Sequence, residues 1–281
     1  MAMSWGHGRA RHYLVFPLVL VLTLAWCFPF LWMAAMALRT TPEIYRSPYG
    51  LPLPPHLGKF VTAFVEFGYA RYFANSLFVT VGALAINVLA ASMAAYGFAR
   101  SRYRFALREP IFLLIFMAIM FPPQIILLAL YLVLVQYGLY NSLFGLVLVY
   151  AATSLPFTIY VLRAFFLQIP QEIEDAARVD GCGDWGAFWR VMMPIALPAL
   201  SAVTILNTIG FWNEFLYAVT FINKQESRTL PLAVMFFMGD SYSDVGMLAT
   251  GIVIASLPII VLYMLFSDQF IKGMTAGALK G

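Results

Sequence analysis

The sequence predicts an all-α polytopic membrane protein with six spans. Two observations carry this reading. The 281 residues are 62% hydrophobic and only 11% charged, with a mean hydropathy of +0.84, whereas a soluble globular domain has roughly 45–50% apolar and about 25% charged residues. Charge-free runs recur along the whole chain, and a helix needs about 20 such residues to cross a bilayer.

The first 12 residues form a short basic tail carrying Arg9 and Arg11. Tyr13 to Leu38 then runs without a charge. Ala34-Ala35-Met36-Ala37 resembles a cleavage site, but the apolar run exceeds the roughly 7–15 residues of a secretory signal, so it reads as an uncleaved first span. Arg39 to Arg71 is a polar connection with five prolines (42, 48, 52, 54 and 55) and a short amphipathic helix expected around Phe60 to Phe67. The second span is Phe73 to Phe98, with Asn87 in its interior. Arg100, Arg102, Arg104 and Arg108 follow as the densest basic cluster.

Ile111 to about Val135 is the third span, interrupted at Pro122-Pro123-Gln124. The fourth runs from Leu143 to Phe166 with Pro156 inside. Prolines here either mark a gate or simply set packing geometry, because the freed backbone groups need partners inside the protein. A polar island, residues 169–194, separates this span from the fifth, expected at Ile195 to Ile222. Lys224 to Tyr242 reads as polar and turn-rich, Met247 to Phe266 as the sixth span, and residues 267–281 as a Gly-rich tail. The membrane domain is thus 13–266. With both termini inside, inner segments hold about ten Lys and Arg and outer ones about six, which favours cytoplasmic termini.

The island reads as a helical hairpin. Pro170 suits a first helical position, and Glu172, Glu174 and Asp175 favour the positive end of the helix dipole. Ile173, Ala176 and Ala177 share one face, and Gly181 is placed for a left-handed cap. Asp184 is expected to cap a second helix, whose Trp185, Phe188, Trp189 and Met192 form an i, i+3, i+4, i+7 stripe before Pro194 stops it. Such a stripe either packs under the spans or enters a groove on another protein.

Several function classes are excluded by absence. No G-x-x-x-x-G-K-[ST] occurs, so the chain is not expected to hydrolyse nucleotide itself. Three histidines, two near the start and one in the first loop, make no metal or nucleophile constellation, and Cys27 and Cys182 lack ligand spacing. No enzyme activity, metal or cofactor is expected in this chain. The net charge of +4 comes from residues scattered through loops, so it reports topology rather than nucleic-acid binding.

Asp175-Ala176-Ala177, then Gly181 six residues after Asp175, then Val191-x-Met193-Pro194 resembles the EAA loop of binding-protein-dependent ABC importer permeases. The family pattern has Glu, Ile and Leu where this chain has Asp175, Val191 and Met193. Residues 271–281 look like the C-terminus of the smaller, maltose-type sugar permease subunit, and Phe211-Trp212-Asn213-Glu214-Phe215 also resembles sugar permeases.

The resemblance implies a type I ABC importer permease in a prokaryotic plasma membrane. It implies a second homologous permease subunit, two ATPase subunits holding ATP and Mg, and an extracytoplasmic sugar-binding protein. Asp175, Ala176, Ala177, Asp180, Gly181, Trp185, Phe188 and Pro194 would then couple to the ATPase, and Lys280 and Gly281 would reach it from the tail.

Asn207, Trp212, Asn213 and Glu214 either line a sugar path or fix the contact with the partner permease by interhelical hydrogen bonds. A different polar solute, such as a sugar phosphate or polyol, is the alternative cargo. An ion-coupled secondary transporter needs more intramembrane charge than Glu214 supplies. A membrane-embedded sugar transferase needs clustered carboxylates or histidines, which the sequence lacks.

Overall fold

The computed structural model describes residues 6–100, 106–240 and 244–278. Arg102 and Arg104 of the basic cluster, and Lys280 and Gly281 of the tail, lie outside them. The described secondary structure is helical throughout. Among the described residues, four helices are long and apolar enough to cross a membrane, and up to six spans result if each of two sharply bent helix pairs counts as one. The chain divides into two compact units, residues 1–69 with 234–257, and residues 70–233 with 258–281.

In the first unit, α1 (Gly6–Ala37) exposes large apolar side chains from Val15 to Leu31, Phe16, Trp26 and Phe30 among them, as a lipid-facing span does. Short helices α2 (Thr41–Arg46) and α3 (Gly58–Val65) follow, the latter where the amphipathic helix was expected. Arg39 is buried and donates to the carbonyls of Glu43 and Ser47 at 2.6 and 2.7 Å, tying the polar connection together. The Thr40 N–H donates to the Glu43 carboxylate and holds it below the usual carboxylate range. Burial pulls the Lys59 ammonium below the ordinary lysine range. Thr41 donates to Asp244 at 2.6 Å, joining this connection to the start of α14 (Val245–Ala278).

The second unit holds the remaining spans. The helix α4 (Tyr69–Ala99) is continuous. The expected third span is broken at the expected prolines into two arms, α5 (Arg108–Met117) with a short 3₁₀ turn and α6 (Pro123–Gln136), bent by 107°. Pro122 sits extended at ψ 136° and Pro123 opens α6. Neither proline offers an N–H, and a residue before proline avoids the helical region, so the ladder stops here. Pro156 does not break α7 (Leu143–Phe166), which runs through it.

Three further expectations are corrected. The fifth span ends early, because α11 (Leu197–Trp212) stops before a turn at 213–215 and a separate short helix, α12 (Leu216–Phe221), follows. The stretch expected to be polar and turn-rich contains an apolar helix, α13 (Leu230–Asp240), whose start is pinned by the Ser76 hydroxyl accepting from the Leu230 N–H at 2.8 Å. The last helix continues past Phe266 to Ala278, so the Gly-rich tail is largely helical.

Two apolar clusters fill this unit. One gathers Tyr96, Phe112, Leu162, Phe166, Phe188, Met192 and Val203, and the other Val79, Leu146, Tyr150, Phe211, Tyr217 and Phe221. The first cluster reaches directly under the hairpin.

Candidate functional site

The hairpin begins where α7 ends. Pro170 is extended at ψ 140°, so it flanks the helix and α8 (Gln171–Val179) starts one residue later than expected. Glu174 and Ala177 face inward, while Ile173, Ala176 and Val179 lie on the exposed side, Val179 at 87%. The end of α8 is a Schellman cap. Gly181 has φ +88°, its N–H donates to the Arg178 carbonyl at 2.9 Å, and Cys182 N–H reaches the Ala177 carbonyl at 3.0 Å.

The second limb departs from expectation at three points. Gly183, not Asp184, flanks the short α9 (Asp184–Gly186). The Asp184 carboxylate turns to Arg178 at 3.3 Å instead. A π-turn occupies Ala187–Met192, and its wider i→i+5 bonding accompanies a split in the aromatic stripe. Phe188 and Met192 are buried, whereas Trp185 is 65% exposed and Trp189 is exposed beside it. Pro194 does not stop the chain's helix either. It lies within α10 (Met193–Ile195), and the direction changes by 74° into α11 at Ala196.

What fastens the hairpin is an ion pair that sequence reading missed. Arg100, just beyond the end of α4, places its Nε 2.9 Å from Glu174 Oε2, with side chains 6% and 1% exposed. Tyr96 donates its hydroxyl to the other Glu174 oxygen at 2.7 Å, and Arg178 bonds that oxygen too. The same Arg100 guanidinium donates to the Ile169 carbonyl at 3.0 Å and contacts the Met192 sulfur at 3.4 Å. One side chain therefore holds the hairpin's first residue, its first limb and its second limb. Glu174 looked like a helix-dipole residue and Arg100 like a topology signal. The available clue was the i, i+4 spacing of Tyr96 and Arg100 at the end of a span.

Of the residues expected to couple, Asp175, Asp180, Trp185 and Pro194 stand on the exposed surface, and Phe188 is packed against Tyr96 in the chain's own core. Asp175 is within 3.5 Å of Arg178.

The four residues around the end of α11 divide between core and turn. Asn207 is buried and donates to Asn87 Oδ1 at 3.0 Å and to Thr158 Oγ1 at 2.9 Å, and Asn87 donates to the Ala151 carbonyl at 2.8 Å. This triad stitches α4, α7 and α11 together within one chain. Trp212 is buried edge-on to Phe73, 5.4 Å between centroids. Asn213 is exposed and donates to the Ile209 carbonyl at 3.0 Å. Glu214 accepts from the N–H groups of Tyr217 at 2.8 Å and Ala218 at 3.2 Å, so it caps α12. Among the described residues, no cluster of His, Cys, Asp or Glu is placed to hold a metal ion.

Residues 86–276, more than half the chain, match the family described as "Binding-protein-dependent transport system inner membrane component". The chain belongs to this family. It is a permease subunit of an ABC transporter, and a transport component of the inner membrane. It is 36% identical to a Probable ABC transporter permease protein of Bacillus subtilis, over 99% of this chain and 91% of that one. It is 33% identical to a diacetylchitobiose uptake system permease protein of Streptomyces coelicolor, over 90% and 83%. The fold matches a bacterial ABC transporter involved in the import of the acidic polysaccharide alginate, with a TM-score of 0.82 at 21% identity, covering 96% of this permease and 100% of that chain.

Proposed function

We propose that this permease imports a sugar or oligosaccharide as one half of a heterodimeric pathway, both termini in the cytoplasm. An ATPase dimer docks on the 169–194 hairpin, and an extracytoplasmic sugar-binding protein delivers the cargo. The sugar assignment is supported by the diacetylchitobiose permease among the relatives. ATP and Mg belong to the ATPase subunits, and no covalent chemistry falls to this chain.

The observation that carries the coupling role is the grip of Arg100 on the hairpin. A docking element must transmit force as well as present a surface. Here Val179, Asp175 and Trp185 face outward, while Glu174, Ala177, Phe188 and Met192 are fixed to the spans. When the ATPase dimer closes, the hairpin moves with α4 and α11 as one body, which shifts the population between inward- and outward-facing states.

Asp175→Ala and Val179→Asp test this, since both sites are exposed and the permease should stay folded. Co-purification from detergent should recover the permease pair with the ATPase reduced at least several-fold. Full ATPase recovery with both variants would contradict docking at the hairpin.

A further inference from the structure

In the first unit, α3 carries its polarity inverted for a helix in water. Its polar side chains are Lys59 and Thr62, and both are half-buried, with Lys59 donating to the Arg39 carbonyl. Leu57, Val61, Phe64 and Val65 recur at i, i+4, i+7 and i+8, which places them on one helix face. All four are exposed, Val61 at 64% and Val65 at 76%. Leu51 and Leu53, in the stretch leading to the helix, are exposed as well.

The depth of this stripe follows from α1. The apolar span Val15–Ala37 has 23 residues, about 34 Å of helix at roughly 1.5 Å per residue, against a hydrocarbon core about 30 Å thick. Its far end therefore stands at the membrane–water boundary. The connection is tied to that end. The His56 N–H donates to the Leu38 carbonyl at 2.8 Å, and Lys59 holds Arg39. The Trp32 indole N–H donates to the Pro48 carbonyl at 2.9 Å, and its ring stacks on Tyr49, 5.7 Å between centroids at 29°. Trp32 precedes the end of the span, so the connection folds back beside the span's last turns. Tryptophan and tyrosine are enriched at that level of a membrane, where one end of the ring is apolar and the other wet.

Lipid is the occupant these surroundings favour. A soluble protein that comes and goes would leave the stripe bare in water between visits, and contiguous apolar surface of that kind is avoided. Leu31 is exposed on α1 just before Trp32, and Leu51 just after Tyr49, so the lipid-facing surface of the span continues across the stacked pair into the connection.

We propose that α3 and the 49–53 segment lie flat in the bilayer interface at the far end of α1, with Leu57, Val61, Phe64 and Val65 seated on the acyl chains. Interfacial helices bury such a face about 5–10 Å into the boundary between headgroups and chains. Glu66, exposed beyond the last turn and off the stripe, stays in headgroup water. This placement rests neither on the cargo nor on the docking role of the hairpin.

The test uses the assembled transporter in phosphatidylcholine nanodiscs, without binding protein. Val61→Cys, Val65→Cys and Glu66→Cys, each with Cys27 and Cys182 replaced by Ala, are spin-labelled. Collisions with oxygen, which concentrates in lipid, are compared with collisions with a water-soluble nickel chelate. The oxygen-to-nickel ratio at positions 61 and 65 should exceed that at 66 by about threefold or more. A ratio at 61 and 65 no higher than at 66 would put the stripe in water and overturn the proposal. Low collision rates with both reagents would bury it against another protein and overturn it equally.

The unsubstituted chain gives an independent reading should the labelled variants fail to assemble. Photolysis of a phosphatidylcholine bearing a diazirine high on its acyl chain should leave a lipid adduct on the tryptic fragment 60–71, released by cleavage after Lys59 and Arg71. A fragment free of adduct, alongside labelled α1, would contradict the placement.

Discussion

Arg100 and Glu174 face each other at 2.9 Å in nearly complete burial, one at the end of the second span and the other on the first limb of the hairpin. A buried ion pair gains little net stability, because desolvation offsets most of its attraction, yet breaking it leaves an uncompensated charge. What the pair supplies here is a fixed relation between two elements. The Tyr96 hydroxyl and the Ile169 carbonyl extend it into a network.

Gly181 is the hinge between the limbs. Its φ of +88° suits glycine, and a Cβ there would meet no neighbour, so a substitution acts through the backbone alone. Gly181→Val should lower ATP-driven uptake in proteoliposomes by about tenfold or more, since a β-branched residue resists the left-handed region. Gly181→Asn, which tolerates that region, should retain most activity. Equal loss in both variants would point to a contact at this position instead of a hinge.

The Asn87, Thr158 and Asn207 triad should behave as a structural joint. Asn207→Leu removes one of the two donors to Asn87 Oδ1, the Thr158 hydroxyl still donating at 2.9 Å, and should cost about 0.5–1.5 kcal/mol, or less where other polar groups compensate, as membrane helices often allow. A fall in the temperature of monodispersity on size-exclusion chromatography, with an unchanged range of imported sugars, is the expected result. A changed range would place Asn207 on the path.

Glu214 should act as a helix cap. Glu214→Gln keeps one acceptor oxygen, enough for the shorter bond from the Tyr217 N–H, while losing the second oxygen that takes the Ala218 N–H, and should transport nearly normally. Glu214→Ala removes it and should cost about 0.5–2 kcal/mol, read as reduced thermal stability. Uptake abolished by Glu214→Gln with stability intact would show that the charge itself is needed for transport.

Much of this architecture is legible in the sequence, because spans are written in long charge-free runs and a helix end in a glycine such as Gly181. Two kinds of feature are not. Bends depend on backbone geometry that composition does not specify. Pro122-Pro123 turns the chain by 107°, whereas Pro156 is absorbed into α7 without a break. Partnerships across sequence are also hidden. Glu174 had a sufficient local explanation in the helix dipole and Arg100 in topology, so nothing local linked residues 74 positions apart. Asn207 and Glu214 drew attention as polar groups within a span, but their partners, in α4, α7 and the start of α12, became visible only in three dimensions.

The most direct test is the number of sugar molecules imported per ATP hydrolysed by the reconstituted transporter carrying Arg100→Met together with Glu174→Met. Replacing both partners by apolar side chains avoids a stranded charge, so the fold should survive. A hairpin that transmits force through this pair predicts a ratio reduced about tenfold while ATP hydrolysis continues. A wild-type ratio in the folded double variant would contradict it.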